Sequence, residues 1–446
     1  MRKPRPLHVA LAAIGLIAAS FGALEAAFRN HAPRADDQLY DPGHVRFLID
    51  AAGPIFVRSR GWGGDSLVPK ASRSPYVQAD QRFPFDKRPG TKRIVVVGES
   101  SALGLGAALA IHVRQAAPDS GIEVLNMGFG GASLEQVENN FRESLRYDPD
   151  VVILCFGHNL MMSHPALTPL ELRMNSAIRK SHFLSFLIDR RDRPPFVQAS
   201  LGSRMEALNR FIRDSARLAK ERHIALVVCT MPSNLMFPPV SDAGERAAAP
   251  YLESSYEAAK PDDGKALAIL RDAADKDPVP LWIFQTARRL LRKGDYAAAR
   301  GRFLAAKDLD RQHDRAAAPV NALIRAAGRD EKLVVLDFDR LVAALAPHGI
   351  PGWESFIDHV HVSTPLRTLE ASVAWKACRG PLGAGPAAGP ADSPIPPPGL
   401  EPAEWKEFAL DVARRGLPYQ DQRSAALRSL LSDELRLNEK EFVPLL

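Results

Sequence analysis

Short apolar runs rich in Val, Ile and Leu recur along the chain between Thr91 and Asp339. Each is too short for a helix, and most are too continuous for a strand with one exposed face, so we predict buried strands of a parallel sheet. The runs are Arg93–Gly98, Ile122–Gly128, Asp150–Gly157, His223–Pro232 and Lys332–Asp339.

Segments of helical character separate these runs, at Ala102–Ala117, Ser133–Tyr147 and Met205–Arg222. Strands and helices in alternation predict a three-layer α/β fold, a doubly wound parallel sheet. In such folds functional groups collect beyond the carboxyl ends of the strands.

A longer segment, about Ser241–Ala327, precedes the fifth run. Within it Ala266–Pro278 and Ala298–Asp310 share a spacing of small residues and acidic ends, at an offset of about 32 residues, near the ~34-residue period of tetratricopeptide repeats. Gly294 and the next two residues predict a turn between two amphipathic helices. We therefore expect an inserted α-helical, tetratricopeptide-like lobe. An ordinary helical hairpin is the alternative.

The N-terminus carries Arg2, Lys3 and Arg5 ahead of the uncharged run Val9–Leu24. A basic segment followed by an apolar core is typical of membrane targeting. The run lies between the length of a signal-peptide core and that of a bilayer span, so a cleaved signal peptide and a retained anchor over residues 7–28 both stay open. The basic flank predicts that the rest of the chain lies outside the cytoplasm.

Composition changes after Cys378, where Pro381–Pro402 is dense in Pro, Gly and Ala and predicts an extended linker. Helical character resumes beyond it. The expected organisation is residues 1–30 as signal peptide or anchor, 31–90 as an N-terminal extension, 91–240 and 321–378 as the two parts of the sheet domain, 241–320 as the helical insertion, 379–402 as the linker, and 403–446 as a C-terminal helical extension.

Composition narrows the class of protein. The mean hydropathy of -0.15 excludes a multi-pass membrane protein. The net charge of +6 over 446 residues is small, and no basic stripe with interleaved aromatics accompanies it, so we expect no nucleic-acid partner. Cys155 and Cys229 lie in apolar runs, which predicts buried thiols and no disulfide framework.

Candidate chemistry follows the predicted strands in order. Ser100 comes two residues after the first strand, on a turn where a hydroxyl can be exposed beside backbone N–H groups, although a helix cap is an equal interpretation. Gly128 ends the second strand and Gly131 follows it, at a position where glycine lets the backbone approach a ligand. Asn159 follows the third, and its amide can donate to an oxyanion or serve an Asx-type loop.

Asp358 and His361 follow the fifth run. At this spacing the carboxylate can meet imidazole Nδ1–H and leave Nε2 free to take a proton. Metal ligation is the other use of such residues, but no further ligand cluster of suitable spacing accompanies them, so we expect neither a metal nor a cofactor.

Ser, Gly, Asn and Asp-x-x-His at successive strand ends resemble the blocks of the SGNH hydrolase family, the GDSL-like lipases and esterases. The resemblance covers about Thr91–Val240 and Asn321–Cys378, and Glu99 stands where the family usually has Asp. It implies a serine ester hydrolase with a flavodoxin-like sheet. Its implied catalytic residues are Ser100, Asp358 and His361, and its implied oxyanion hole is Ser100, Gly131 and Asn159, with Gly128 as the second choice for the glycine.

The whole chain is similar to a bacterial membrane-anchored subgroup of that family that carries a tetratricopeptide-like insertion. This similarity implies a location on the periplasmic face of a bacterial envelope. It also implies substrate-binding roles for Arg315 and Asn321, for which solvated helix positions are the alternative. The expected substrate is an ester-bearing carbohydrate, lipid or small molecule. An O-acyltransferase on the same residues, and a scaffold that binds a protein partner through the insertion, are the competing functions.

Overall fold

The computed structural model describes residues 6–30, 53–60, 64–71, 76–162, 180–189, 200–239, 279–310 and 314–384, and the single positions 170, 174, 178 and 268. The described chain divides into two units: residues 1–54 with 163–199, and residues 55–162 with 200–446. The candidate site belongs to the second unit. The linker, the C-terminal segment and the first predicted repeat lie outside the described residues.

The second unit contains two sheets. A small antiparallel sheet consists of β1 (Phe56–Ser59), β2 (Ser66–Pro69) and β3 (Phe83–Pro84). The main sheet has five parallel strands in the order β5-β4-β6-β7-β8. They are β4 (Lys92–Gly98), β5 (Ile122–Gly128), β6 (Val151–Cys155), β7 (Ala225–Cys229) and β8 (Val334–Leu336). All five predicted strands are therefore present, and the order is that of a flavodoxin-like sheet.

Helices cover both faces of the main sheet, as the three-layer prediction requires. Alternation along β4 shows this arrangement, because Ile94 and Val96 face one helical layer, Val95 and Val97 face the other, and all four are fully buried. Listed in chain order, the helices of this unit are α2 (Ser100–Ala116), α3 (Leu134–Ser144), α5 (Leu201–Glu221), α6 (Pro280–Arg292), α7 (Tyr296–Asp308), α8 (Ala318–Asp330), α9 (Phe338–Leu345) and α10 (Thr364–Arg379).

The fifth predicted strand is shorter than expected. The apolar run was predicted to continue to Asp339, but the strand ends at Leu336 and α9 begins at Phe338. The reason is local: the Asp337 side chain accepts a hydrogen bond from the Arg340 N–H at 3.2 Å and caps the helix.

The described part of the insertion is a helical hairpin. Helices α6 and α7 pack through a shared apolar cluster that includes Phe284 and Phe303, and Gly294 forms the predicted turn with a φ of +78°. Leu235, which follows β7, belongs to the same cluster. The hairpin is present, whereas the tetratricopeptide repeat is not confirmed.

The first unit contains helix α1 (Pro6–Ala27) and helix α4 (His182–Asp189). The Glu25 carboxylate accepts hydrogen bonds from the Ser181 hydroxyl at 2.7 Å and the His182 N–H at 2.6 Å, and Phe28 stacks on Phe186 with centroids 4.3 Å apart. Within the described part of the chain, no helix combines the length and the apolar character needed to span a membrane. The transmembrane helix expected at residues 7–28 is therefore not found there.

Candidate active site

The turn between β4 and α2 carries the candidate nucleophile. Gly98 ends the strand, and a Cβ at this position would lie 1.8 Å from the Cys155 carbonyl oxygen, so only glycine lets β4 and β6 approach this closely. Ser100 is the first residue of α2 and is half-buried. The first N–H groups of a helix have no intrahelical acceptor, and no described residue accepts a hydrogen bond from the Ser100 N–H, so this group can bind an anionic oxygen.

The glycine-rich turn after β5 lies against this serine turn, since the Phe129 N–H donates to the Gly98 carbonyl at 3.0 Å. Its two candidate glycines have different structural roles. A Cβ on Gly128 would come within 2.1 Å of the Leu103 backbone nitrogen, so this glycine permits α2 to pack on β5. Gly131 has a φ of +72°, in the left-handed region, and none of the described residues accepts a hydrogen bond from its N–H.

Asn159 belongs to a single 3₁₀ turn, His158–Met161, which follows β6. Strands β4 and β6 are neighbours on opposite sides of the point where the strand order reverses, so the turns after them flank the crevice in which such sheets place their ligands. The Asn159 side chain is half-buried, and no described residue hydrogen-bonds to its amide. The amide is therefore available as a donor in that crevice.

Asp358 and His361 form the one direct contact among the predicted catalytic side chains. Asp358 Oδ2 lies 2.5 Å from His361 Nδ1, while Oδ1 accepts the backbone N–H groups of Val360 at 2.8 Å and His361 at 2.7 Å. Burial alone would raise the pKa of Asp358, but the hydrogen bonds from His361 outweigh it and lower the pKa to about 2. The carboxylate is therefore ionised and orients the imidazole with Nε2 directed away from it.

Two residues, Asn234 and Arg367, hold this Asp–His loop at the carboxyl edge of the sheet. Asn234, which follows β7, donates its N–H to the His359 carbonyl at 3.1 Å and its side-chain amide to the Asp358 carbonyl at 3.0 Å. Arg367, on α10, donates to the Ser101 carbonyl at 3.1 Å and so ties the helix after His361 to the helix of Ser100. The hydroxyl of Ser100 itself has no hydrogen bond within the described residues, and catalytic contacts of this kind often tighten only when substrate binds.

Burial shifts the pKa values of two other groups here. Glu99 is fully buried, and this burial raises the pKa of its carboxyl to about 7, although the N–H groups of Asn159 and His158 and the nearby His361 act in the opposite direction. Burial also lowers the pKa of His158 well below its ordinary value. His158 is therefore neutral, and its Nδ1 accepts the Ala316 N–H at 3.0 Å.

Arg315 and Asn321, predicted as substrate residues, are both buried and bonded within the protein. Arg315 pairs with Asp310 at 2.9 Å and donates to the Asn234 and Phe237 carbonyls at 3.1 and 2.8 Å. Asn321 exchanges two hydrogen bonds with the backbone of Met231, at 2.8 and 2.9 Å. These contacts join the segments around α7 and α8 to the end of β7, and the substrate role stays a prediction.

Sequence reasoning missed three residues that organise the site: Glu99, His158 and Asn234. Glu99 stood out only as a departure from the family pattern, and neither His158 nor Asn234 was assigned a role. A carboxylate directly after the apolar residues Ile94–Val97 and Gly98 was the available signal, since an acidic side chain buried there must be paired or hydrogen-bonded. Its partners, however, come from another strand end and were not readable.

Half-exposed rings lie beside the Asp–His loop. The Phe237 ring is 5.7 Å from the Trp353 ring and 5.3 Å from the His359 ring, measured between centroids. All three residues are intermediate in exposure. The exposed parts of the two aromatic rings, Phe237 and Trp353, provide apolar surface close to the candidate catalytic pair.

Solved structures with some likeness to this chain are ester-cleaving enzymes by their descriptions. A GDSL-like lipase from Bacteroides thetaiotaomicron is 12% identical, with 64% of this chain and 86% of that chain covered and a TM-score of 0.31. A lipase/acylhydrolase from Enterococcus faecalis is 14% identical, with 67% and 100% covered and a TM-score of 0.32. A catalytic mutant of an acetylxylan esterase from Geobacillus stearothermophilus is 12% identical, with 68% and 100% covered and a TM-score of 0.31.

No family model and no curated protein matches the chain.

Proposed function

We propose that this protein is a serine ester hydrolase that uses Ser100, His361 and Asp358. The observation that carries the proposal is the 2.5 Å contact between Asp358 Oδ2 and His361 Nδ1, on a loop tied to the same sheet edge as the Ser100 turn. An imidazole with Nδ1 bonded to an ionised carboxylate is oriented to accept a proton at Nε2, as a general base for a hydroxyl requires.

In the proposed mechanism Ser100 Oγ attacks the ester carbonyl and His361 Nε2 takes the hydroxyl proton. Asp358 stabilises the imidazolium, which then gives the proton to the leaving alcohol. The acyl-serine is hydrolysed by water with the same base. The tetrahedral oxyanion is bound by the N–H groups of Ser100 and Gly131 and the side-chain amide of Asn159, three donors with no acceptor among the described residues.

We place the substrate against Phe237, Trp353 and His359. Partly exposed aromatic rings suit either the apolar face of a sugar or a short acyl chain, which matches the expected classes of ester. The insertion borders this surface, because Arg315 binds the Phe237 carbonyl.

The test uses the full-length chain with p-nitrophenyl acetate and a fluorophosphonate probe. Ser100→Ala is expected to abolish both turnover and labelling. Asn159→Ala is expected to lower kcat on the order of 10²–10³-fold, the usual cost of one oxyanion donor.

Ser101→Ala is the matched control, because Ser101 neighbours the nucleophile but its hydroxyl is buried and unpartnered. We expect it to keep wild-type labelling. Labelling that survives Ser100→Ala, or that disappears in Ser101→Ala alone, would overturn the assignment of the nucleophile. Partition of the acyl group between water and an added glycan distinguishes hydrolysis from acyl transfer.

A further inference from the structure

Glu99 is a buried acid that the mechanism above does not use. It lies between Gly98 and Ser100, and its side chain is 0% exposed. Its two carboxylate oxygens accept hydrogen bonds from the turn that follows the neighbouring strand, β6. Oε1 accepts the His158 N–H at 3.0 Å, and Oε2 accepts the Asn159 N–H at 2.9 Å.

The backbone of Glu99 also forms two hydrogen bonds. Its N–H donates to the Cys155 carbonyl at 3.2 Å, and its carbonyl accepts the Leu103 N–H at 3.1 Å. Backbone and carboxylate together therefore join the end of β4, the first turn of α2 and the turn after β6. Glu99 precedes the candidate nucleophile in the chain, and its carboxylate binds the backbone of the candidate oxyanion donor.

The pairing needs a carboxylate in particular. Two N–H donors converge on one side chain, and the ionised carboxylate, which predominates above its pKa of about 7, supplies an acceptor for each. Glutamine supplies one acceptor and would place its own NH₂ group against the second N–H. The turn cannot easily adjust, because the His158 ring is bonded on its other side to the Ala316 N–H.

We propose that Glu99 is a positioning residue that fixes the Asn159 side chain relative to Ser100, so that the amide meets the developing oxyanion. The inference rests on the proposed function, since it concerns the same oxyanion hole. A displacement of about 1 Å in such a constellation can cost on the order of 10²-fold in rate. Glu99 acts through Asn159 and does not touch the substrate.

The main test is a double-mutant cycle between Glu99→Gln and Asn159→Ala in the full-length chain, with kcat and KM measured on p-nitrophenyl acetate. Glu99→Gln alone is expected to lower kcat on the order of 10–10²-fold and to change KM less than about threefold, because the donor acts mainly in the transition state. The double variant is expected to be no slower than Asn159→Ala alone, since the donor that Glu99 positions is already gone.

Glu143→Gln is the matched control. Glu143 is also a buried glutamate whose oxygens accept two backbone N–H groups, those of Ile55 at 2.8 Å and Phe56 at 3.0 Å. Glu143 lies near the carboxyl end of α3. At ~1.5 Å per residue it is about 14 Å along the helix from Leu134, the first residue of α3. This variant is expected to lower stability and leave kcat unchanged.

An independent readout does not need activity. Hydrogen exchange of the peptide that covers residues 157–161 is expected to speed up in Glu99→Gln and to stay at the wild-type rate in Glu143→Gln. If Glu99→Gln does not fold, Glu99→Asp, which retains two acceptors on a shorter side chain, replaces it in the same cycle with the same expected non-additivity.

These experiments separate a failure of the proposed function from a failure of the positioning role of Glu99. Activity that survives Ser100→Ala overturns the proposed function. If Ser100→Ala is inactive, then wild-type kcat in the Glu99 variant, or a loss that multiplies with the loss from Asn159→Ala, overturns the positioning role alone. A lower kcat without faster exchange at residues 157–161 also overturns it.

Discussion

Replacing Asp358 by asparagine tests the Asp–His pair most directly, because the substitution keeps the size of the side chain and removes its charge. In the protein the pKa of Asp358 falls from 3.8 to about 2. A lowering of this size corresponds to about 2 kcal/mol of preferential stabilisation of the carboxylate. If the same interaction stabilises the imidazolium in the transition state, its loss costs about 30-fold in kcat/KM.

The hydrogen bonds predict a further loss. Asp358 Oδ1 is fixed by the N–H groups of Val360 and His361, so an asparagine keeps its oxygen there and turns its NH₂ towards His361 Nδ1. The imidazole then carries its proton on Nε2 and cannot accept one from Ser100. This wrong tautomer costs on the order of 10⁴-fold in hydrolases with the same arrangement. We therefore expect Asp358→Asn to lower kcat/KM by between about 30-fold and about 10⁴-fold.

The assay is kcat/KM on p-nitrophenyl acetate, with the unfolding free energy measured in parallel between pH 2 and pH 8. Because the pKa of Asp358 is lowered on folding, its contribution to stability is present above about pH 4 and is lost as the pH falls towards 2. The stability difference between wild type and Asp358→Asn should shrink over that interval.

The control for this prediction is Asp150→Asn. Asp150 also has a lowered pKa, from its bonds to Lys87, Lys92 and the Arg93 N–H that outweigh burial, but it precedes β6 at the opposite edge of the sheet. Asp150→Asn should lower the free energy of unfolding and leave kcat/KM unchanged. A kcat/KM of Asp358→Asn within tenfold of wild type would refute the reasoning.

Two further substitutions test the packing around the site. Gly128→Ala should lower the free energy of unfolding by about 3 kcal/mol in denaturant unfolding, because its Cβ would lie 2.1 Å from the Leu103 nitrogen. Gly130→Ala is the control and should be nearly neutral in the same assay, because the nearest atom to a Cβ at that position is 3.7 Å away. Asp310→Asn leaves the buried Arg315 charge unpaired and should cost about 3–5 kcal/mol in the same assay. A loss below about 1 kcal/mol, typical of an exposed ion pair, would contradict that expectation.

Much of the sheet was readable from the chain. Buried parallel strands need apolar residues on both faces, and this requirement leaves a continuous local signal, so β4, β5, β6 and β7 lie within one to three residues of their predicted limits. The fifth strand was overestimated because a hydrophobic run does not show where an aspartate side chain caps the following helix.

The gathering of the candidate residues at one edge of the sheet could also be predicted from the sequence. In a parallel sheet every carboxyl end lies at the same edge, so residues after successive strands must gather there whatever their separation along the chain. The contact between Asp358 and His361 is local, spanning three residues, and its spacing was enough to predict it.

The tertiary structure decided which groups hold that arrangement in place. The carboxylate of Glu99 reaches a turn about sixty residues away, and Asn234 binds a loop more than a hundred residues later. Local patterns carry no information about such pairs, because hydrogen-bond partners depend on which strands become neighbours. The sequence by itself determined the strands and the chemistry at their ends, and only the folded chain determined how that chemistry is aligned.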